Sequence, residues 1–143
     1  MLSGREFTNA VEFGLRWLEV NADVIDRLNV YPVPDGDTGT NMVLTLSAAM
    51  KDVSNHPSDD VGVVAADISR GALLGARGNS GVILSQILRG FAEALEGRSR
   101  LGVVEFAEAL KCAYEVGYRA VTHPVEGTIL TVARDASISA TSV

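Results

Sequence analysis

Apolar residues recur along this chain at steps of three and four rather than two, the period of helices that bury one face. The pattern predicts a nearly all-α fold. A first helix starts near Ser3, with a break admitted around Asn21. Its stripe is Phe7, Ala10, Val11, Leu15, Leu18, Ala22 and Ile25, and Arg5, Glu12, Arg16 and Glu19 occupy the opposite face. Two prolines and two glycines between Val30 and Gly39 exclude helix until about Thr38. A second helix is expected from Thr40 to about Val53, and the polar segment 54–60 ends it. Asp60 is placed to cap a third helix with the stripe Val61, Val64, Ala65, Ile68 and Ala72. Helical periodicity resumes from Val82 to Leu95 through Leu84, Leu88 and Phe91, and again from Val103 to Val121 through Ala107, Leu110, Tyr114 and Gly117. Pro124 stops or redirects the fifth helix, and a sixth runs from Gly127 to Val143 with Ile129, Leu130, Ala133 and Ala136. No glycine or proline ends that last segment, so the reading is of one domain, 1–143, that continues beyond Val143. Trp17, Met42, Met50, Tyr114 and Tyr118 fall at helical positions where packing is expected.

Composition narrows the function classes. With 47% hydrophobic and 21% charged residues, a chain of 143 residues can bury one core. Twelve basic against eighteen acidic residues give a net charge of -6, which speaks against nucleic acid and anionic membrane surfaces. No apolar run approaches the ~18 residues of a membrane span. The lone Cys112 has no internal disulfide partner and reads as a semi-buried hydrophobe, which fits a cytoplasmic setting. His56 and His123 lie in polar or proline-adjacent segments and read as solvent-facing.

Candidate chemistry gathers at helix starts. In Asp35-Gly36-Asp37, carboxylates two residues apart can converge on one hard cation, magnesium by preference, while Gly36 permits a tight backbone path. A calcium loop beginning at Asp35 is excluded, because Thr40 and Leu46 stand where glycine and glutamate are required. The alternative is that both carboxylates merely form Asx turns and cap the next helix. Thr38-Gly39-Thr40-Asn41 then offers backbone N–H groups to an anion at a helix start. Metal and anion sites side by side describe a metal-bound polyphosphate and phosphoryl transfer. Gly75-Ala76-Arg77-Gly78-Asn79-Ser80-Gly81 is a second such turn, neither a Walker loop nor a dinucleotide fingerprint, and equally readable as a close-packed connection. Arg77 suits either charge stabilisation on phosphate or a surface salt bridge, the blander role. Glu126-Gly127-Thr128 is a third junction. In an up-and-down bundle the loops before helices two, four and six open at one end, a common mouth.

These residues resemble a known family. Residues 29–42, Asn29-Val30-Tyr31-Pro32-Val33-Pro34-Asp35-Gly36-Asp37-Thr38-Gly39-Thr40-Asn41-Met42, are similar to the signature of the dihydroxyacetone-kinase L-type nucleotide-binding domain, in the version found in bacterial fatty acid kinases. Residues 75–86 and 124–131 resemble that family's second and third motifs, in order. The resemblance implies an antiparallel helical barrel or bundle of eight helices, about six of them present here, that binds ATP or ADP at one end through two Mg2+ ions. It implies Asp35 and Asp37 as the catalytic, metal-binding carboxylates. It implies Thr38, Gly39, Thr40, Asn41, Asn79, Ser80, Gly127 and Thr128 as nucleotide contacts. In the dihydroxyacetone branch another aspartate precedes the pair by five residues; here that position is Val30, and Asn29 is the nearest oxygen donor and the candidate third metal ligand. The fatty-acid-kinase branch implies transfer of the terminal phosphoryl group of ATP to a fatty acid carboxylate held by a separate carrier protein. It leaves open a homodimer of the full-length protein. The competing readings are a dihydroxyacetone-type phosphotransferase subunit that relays phosphoryl groups through bound ADP, and a non-catalytic helical module that binds a metal or partner through the acidic loop.

Overall fold

A computed structural model describes residues 1–30 and 34–142 of the chain. It is all-α, with α1 (Gly4–Leu28), α2 (Thr38–Asn55), α3 (Val61–Leu74), α4 (Gly78–Ala94), α5 (Val103–Arg119) and α6 (Ile129–Thr141). Tyr31, Pro32 and Val33 of the expected loop, and Val143 at the expected end of the sixth helix, lie outside the described residues. Among the described residues the one β interaction is a bridge that ties Leu2 to Leu101, with N–H to O distances of 2.8 and 2.9 Å. No helix is long and apolar enough to cross a membrane among the described residues.

Local chemistry sets the helix boundaries. A capping box starts α1: the Glu6 N–H donates to Ser3 Oγ at 3.2 Å, and the Ser3 N–H donates to Glu6 Oε2 at 2.8 Å. The break admitted at Asn21 does not occur, because its amide donates back to the Trp17 carbonyl at 2.8 Å while the backbone ladder runs on to Leu28. Asp60 occupies the α3 N-cap without a side-chain cap bond. The Val61 and Gly62 N–H groups donate instead to the Ser99 and Arg98 carbonyls, at 3.2 and 2.9 Å, so the loop after α4 does the capping. Helix α4 begins at Gly78 rather than Val82, because Gly78 adopts φ 63° and reverses the chain within a short connection.

Successive helices pack side by side, α2 also meets α4, and α1 also meets α3. Short connections between packed neighbours make them antiparallel. The core lies along the expected α3 stripe, with Val61, Val64, Ala65, Ile68 and Ala72 all buried together with Val53, Met50 and Leu95. Phe7 of α1 stacks on Phe91 of α4 at 5.6 Å, and Phe91 meets Phe106 of α5 edge-on at 6.1 Å. The buried line of α5 is Ala109, Ala113, Val116 and Gly117, whereas Ala107, Leu110 and Tyr114 are half-buried. Small residues there let the α5 backbone approach Gly90 so closely that a Cβ at Gly90 would stand 2.9 Å from the Ala113 Cα. Tyr114 and Tyr118 pack on one another, with ring centroids 5.6 Å apart.

Trp17 departs from expectation. It is 71% exposed and belongs to a second apolar stripe on α1, Phe13, Trp17, Val20, Val24 and Leu28, that no described helix covers. The polar face of α1 is therefore narrower than the charges at Arg5, Glu12, Arg16 and Glu19 imply. Leu95 and Trp17 should respond oppositely to truncation in chemical denaturation. Leu95→Ala, at a fully buried position, is expected to cost about 2–5 kcal/mol. Trp17→Ala should stay within about 0.5 kcal/mol. A comparable loss at Trp17 would show that its indole is packed.

Candidate functional site

The first two motifs meet where α2 and α4 begin. Ser80 Oγ donates to the Thr38 carbonyl at 3.3 Å, and the Arg77 N–H donates to Thr45 Oγ1 at 3.1 Å. Thr45 is fully buried, and its hydroxyl donates in turn to the Asn41 carbonyl at 2.8 Å. It thus fastens the second motif to the first. Gly78 lies against the Asn41 amide so closely that no Cβ would fit between them.

Capping of α2 decides what Asp35 and Asp37 are free to do. Asp37 sits at the N-cap but makes no side-chain cap bond. The caps come from α1: Asn29 Oδ1 accepts from the Asp37 and Thr38 N–H groups at 3.1 and 3.2 Å. Asp26 accepts from the Thr40 N–H at 3.0 Å and the Thr40 hydroxyl at 2.6 Å, and the nearby Gly39 N–H also favours its charged form. Partial burial pushes the Asp26 pKa up, but these three donors outweigh it and hold the carboxyl below its ordinary value. The expectation that Thr38 to Asn41 present free N–H groups to an anion is corrected at three of the four: Asn29 takes the Thr38 N–H, Asp26 takes the Thr40 N–H, and the Asn41 N–H bonds the Asp37 carbonyl at 2.8 Å.

The two carboxylates of the acidic triplet face one another instead. Gly36 takes φ 71° between them. The Asp37 pKa is raised, first by hydrogen bonding to the Asp35 carboxyl, then by burial and by repulsion from Asp35; a hydrogen bond from Asn41 opposes the rise, and the nearby charge of Asp26 adds to it. Asp35 is exposed and Asp37 half-buried. Among the described residues no group of three or more His, Cys, Asp or Glu side chains is assembled to hold a metal ion. The pair nonetheless fits magnesium, which is commonly held by one or two carboxylates with phosphate and water oxygens completing its shell.

Helix α4 differs from α2. Arg77 gives no side-chain cap, and the N–H groups of Gly78, Asn79 and Ser80 have no acceptor among the described residues. Asn79 is exposed and Ser80 half-buried beside the α2 start. Arg77 is exposed and forms no ion pair among the described residues, so the surface salt bridge expected for it is not made. The third motif is self-contained. Thr128 Oγ1 accepts from the Leu130 N–H at 3.3 Å and donates to the Val125 carbonyl at 2.8 Å. The exposed Gly127 N–H donates to Thr131 Oγ1 at 2.9 Å, and Glu126 pairs with Arg134 at 2.7 Å. Helix α6 packs on α5, and no hydrogen bond among the described residues joins this motif to the other two. Motifs one and two share a mouth.

Sequence reasoning missed Asp26 and Thr45. A signal existed for Asp26: a carboxylate in the last turn of a helix opposes the macrodipole and is unfavourable unless donors meet it from elsewhere. Thr45 carried none, since a threonine inside a helical stripe reads as filler.

The acidic pair, kept out of helix capping, thus lies beside a helix start whose N–H groups are open among the described residues. The DAK2 domain model matches residues 32–143, and the chain belongs to that family of kinase-associated, dihydroxyacetone-kinase-like nucleotide-binding modules. The chain is 50% identical over 136 residues to protein YloV of Bacillus subtilis, 95% of this chain and 25% of that protein. It is 50% identical over 139 residues to an uncharacterized protein of Staphylococcus epidermidis, and 49% over 139 residues to one of Staphylococcus aureus; each match covers 97% of this chain and 25% of the relative. The chain therefore spans about a quarter of the length of these relatives.

Because hydrogen bonding to the Asp35 carboxyl, then burial and repulsion from Asp35, lift the Asp37 pKa, its contribution to stability is full at low pH and is lost as pH rises through the folded value. Asp37→Asn in metal-free buffer should therefore leave the thermal midpoint at neutral pH unchanged or higher, and should flatten that part of the pH profile. A lower midpoint at neutral pH would assign the Asp37 carboxylate to capping.

Proposed function

We propose that this chain is the Mg-ATP-binding domain of a kinase that transfers the terminal phosphoryl group of ATP to a fatty acid carboxylate presented by a carrier protein. The observation that carries the reading is the substitution of Asn29 and Asp26 for Asp37 as caps of α2, which leaves Asp35 and Asp37 opposed and available to cations. In this reading Asp35 and Asp37 are the metal carboxylates. Asn29, whose Oδ1 already takes two N–H donors, builds the loop rather than ligating. The Gly78, Asn79 and Ser80 N–H groups receive a phosphate oxygen, with Arg77 adding positive charge beside them.

Magnesium, when bound, supplies neutralisation of charge on the phosphate oxygens. The protein groups hold and orient; none forms a covalent bond to phosphorus. A fatty acid carboxylate oxygen forms the new P–O bond as the bond between the β–γ bridging oxygen and the γ-phosphorus breaks, leaving ADP and an acyl phosphate. Val30 in place of the aspartate of the dihydroxyacetone branch, and the Tyr31-Pro32-Val33-Pro34 segment, favour the fatty-acid branch. The single unpaired Cys112 and the use of ATP favour a cytoplasmic setting.

Nucleotide at about a hundred times its dissociation constant should add roughly 2.7 kcal/mol of stability, several degrees in thermal midpoint for a chain of this size. The shift is expected with ATP or ADP only when Mg2+ is present, and is lost in Asp35→Ala and Asp37→Ala. Arg77→Ala should weaken nucleotide binding about tenfold, the effect of losing one charge-assisted contact. For the acceptor, full-length protein with ATP, fatty acid and carrier should yield an acyl phosphate, trapped by hydroxylamine as the hydroxamate. Absence of any magnesium-dependent shift in the full-length protein would overturn the kinase reading. A shift without hydroxamate would overturn the acceptor alone.

A further inference from the structure

We infer that Asp26 is a positioning residue for the Asp35–Asp37 pair, acting through Thr40 and the first turn of α2 rather than as a ligand; the inference rests on the metal-phosphate reading above. Asp26 lies in the last turn of α1, where its charge is disfavoured by the helix dipole, and its compensation comes wholly from α2. Both carboxylate oxygens are engaged, Oδ1 by the Thr40 N–H at 3.0 Å and Oδ2 by the Thr40 hydroxyl at 2.6 Å. One turn earlier on α1, Ala22 meets Gly39 so closely that a Cβ there would stand 2.5 Å from the Ala22 carbonyl oxygen. The α2 start is thus clamped to α1 by a backbone contact on one side and an ionic hydrogen bond on the other.

The clamp has a chemical purpose because helix N–H groups and cations compete for the same carboxylates. An aspartate at an N-cap ordinarily accepts from the N–H groups of the first turn. Asp37 occupies that position, and its alternative partner is the Asp35 carboxyl, which repels it. With the Thr40 donors vacant, Asp37 would turn inward to cap α2, and the acidic pair would be dismantled. Asp26 fills those donors from outside and so holds Asp37 in the outward arrangement that a cation requires.

Three roles for Asp26 predict different outcomes for Mn2+ binding, followed by electron paramagnetic resonance on the full chain with ADP present. A positioning role predicts that Asp26→Ala and Thr40→Val each weaken Mn2+ about tenfold, that the double variant is no weaker than either, and that Thr40→Ser restores wild-type binding. Thermal midpoints without metal should change little, because Asp37 takes over the cap. A direct ligand predicts that Thr40→Val, which frees Asp26 Oδ2 while the backbone N–H keeps Oδ1, retains or tightens Mn2+; that result overturns the proposal. A purely structural role predicts lower midpoints with unchanged Mn2+ affinity of the folded fraction, which also overturns it. Failure of the wild-type chain to bind Mn2+ with ADP would overturn the nucleotide reading itself, and the inference with it.

Discussion

Satisfaction of the N–H groups at the start of α2 is the constraint on which the site depends. A helix start leaves several donors without intrahelical partners, and a buried or crowded start must find acceptors for them. Here the acceptors belong to the preceding helix, Asn29 and Asp26, and reach across the loop to residues 37–40. The acidic triplet is consequently relieved of a task its position would otherwise impose. Helices α1 and α2 touch at Ala22 and Gly39, and that contact fixes the direction from which the caps arrive.

Much of the fold was legible because helical periodicity is a property of which side chains must be buried. The α3 stripe is buried at every expected position, and six helices in the expected order follow from the same reasoning. What escaped the sequence falls into two physical classes. Boundaries set by tertiary donors and acceptors were misplaced: Asp60 gave no cap because carbonyls of the α4–α5 loop reached Val61 and Gly62 first. A side chain judged by its type alone was also misread: Trp17 was expected to pack, but it lies on an apolar stripe that no described helix covers. Periodicity reports that a face is apolar, not that something covers it.

The candidate site was legible in its residue types and not in their partners. Asp35 and Asp37 stood out for their spacing, and the structure opposes them as that spacing allows. Asp26 did not stand out, since an acidic residue at a helix end is ordinary in a chain with eighteen of them. Only the pairing with Thr40 distinguishes it, and that pairing spans the loop.

Three junctions that look alike in sequence differ once every donor is followed to its acceptor. All three combine glycine with hydroxyl or amide residues ahead of a helix. The first is filled by side chains of the preceding helix, the third by its own Thr128, and only the second leaves the N–H groups of Gly78, Asn79 and Ser80 without acceptors among the described residues. An anion gains most where backbone donors are unsatisfied, because it replaces water rather than displacing an existing charge-assisted bond. In a chain of net charge -6 that difference is decisive: at α2 a phosphate would have to evict Asp26 and then face Asp35 and Asp37, whereas at α4 it meets open N–H groups and Arg77. In the proposed kinase reading the acidic pair and the open helix start divide the work, one side meeting cations and the other the phosphate they accompany.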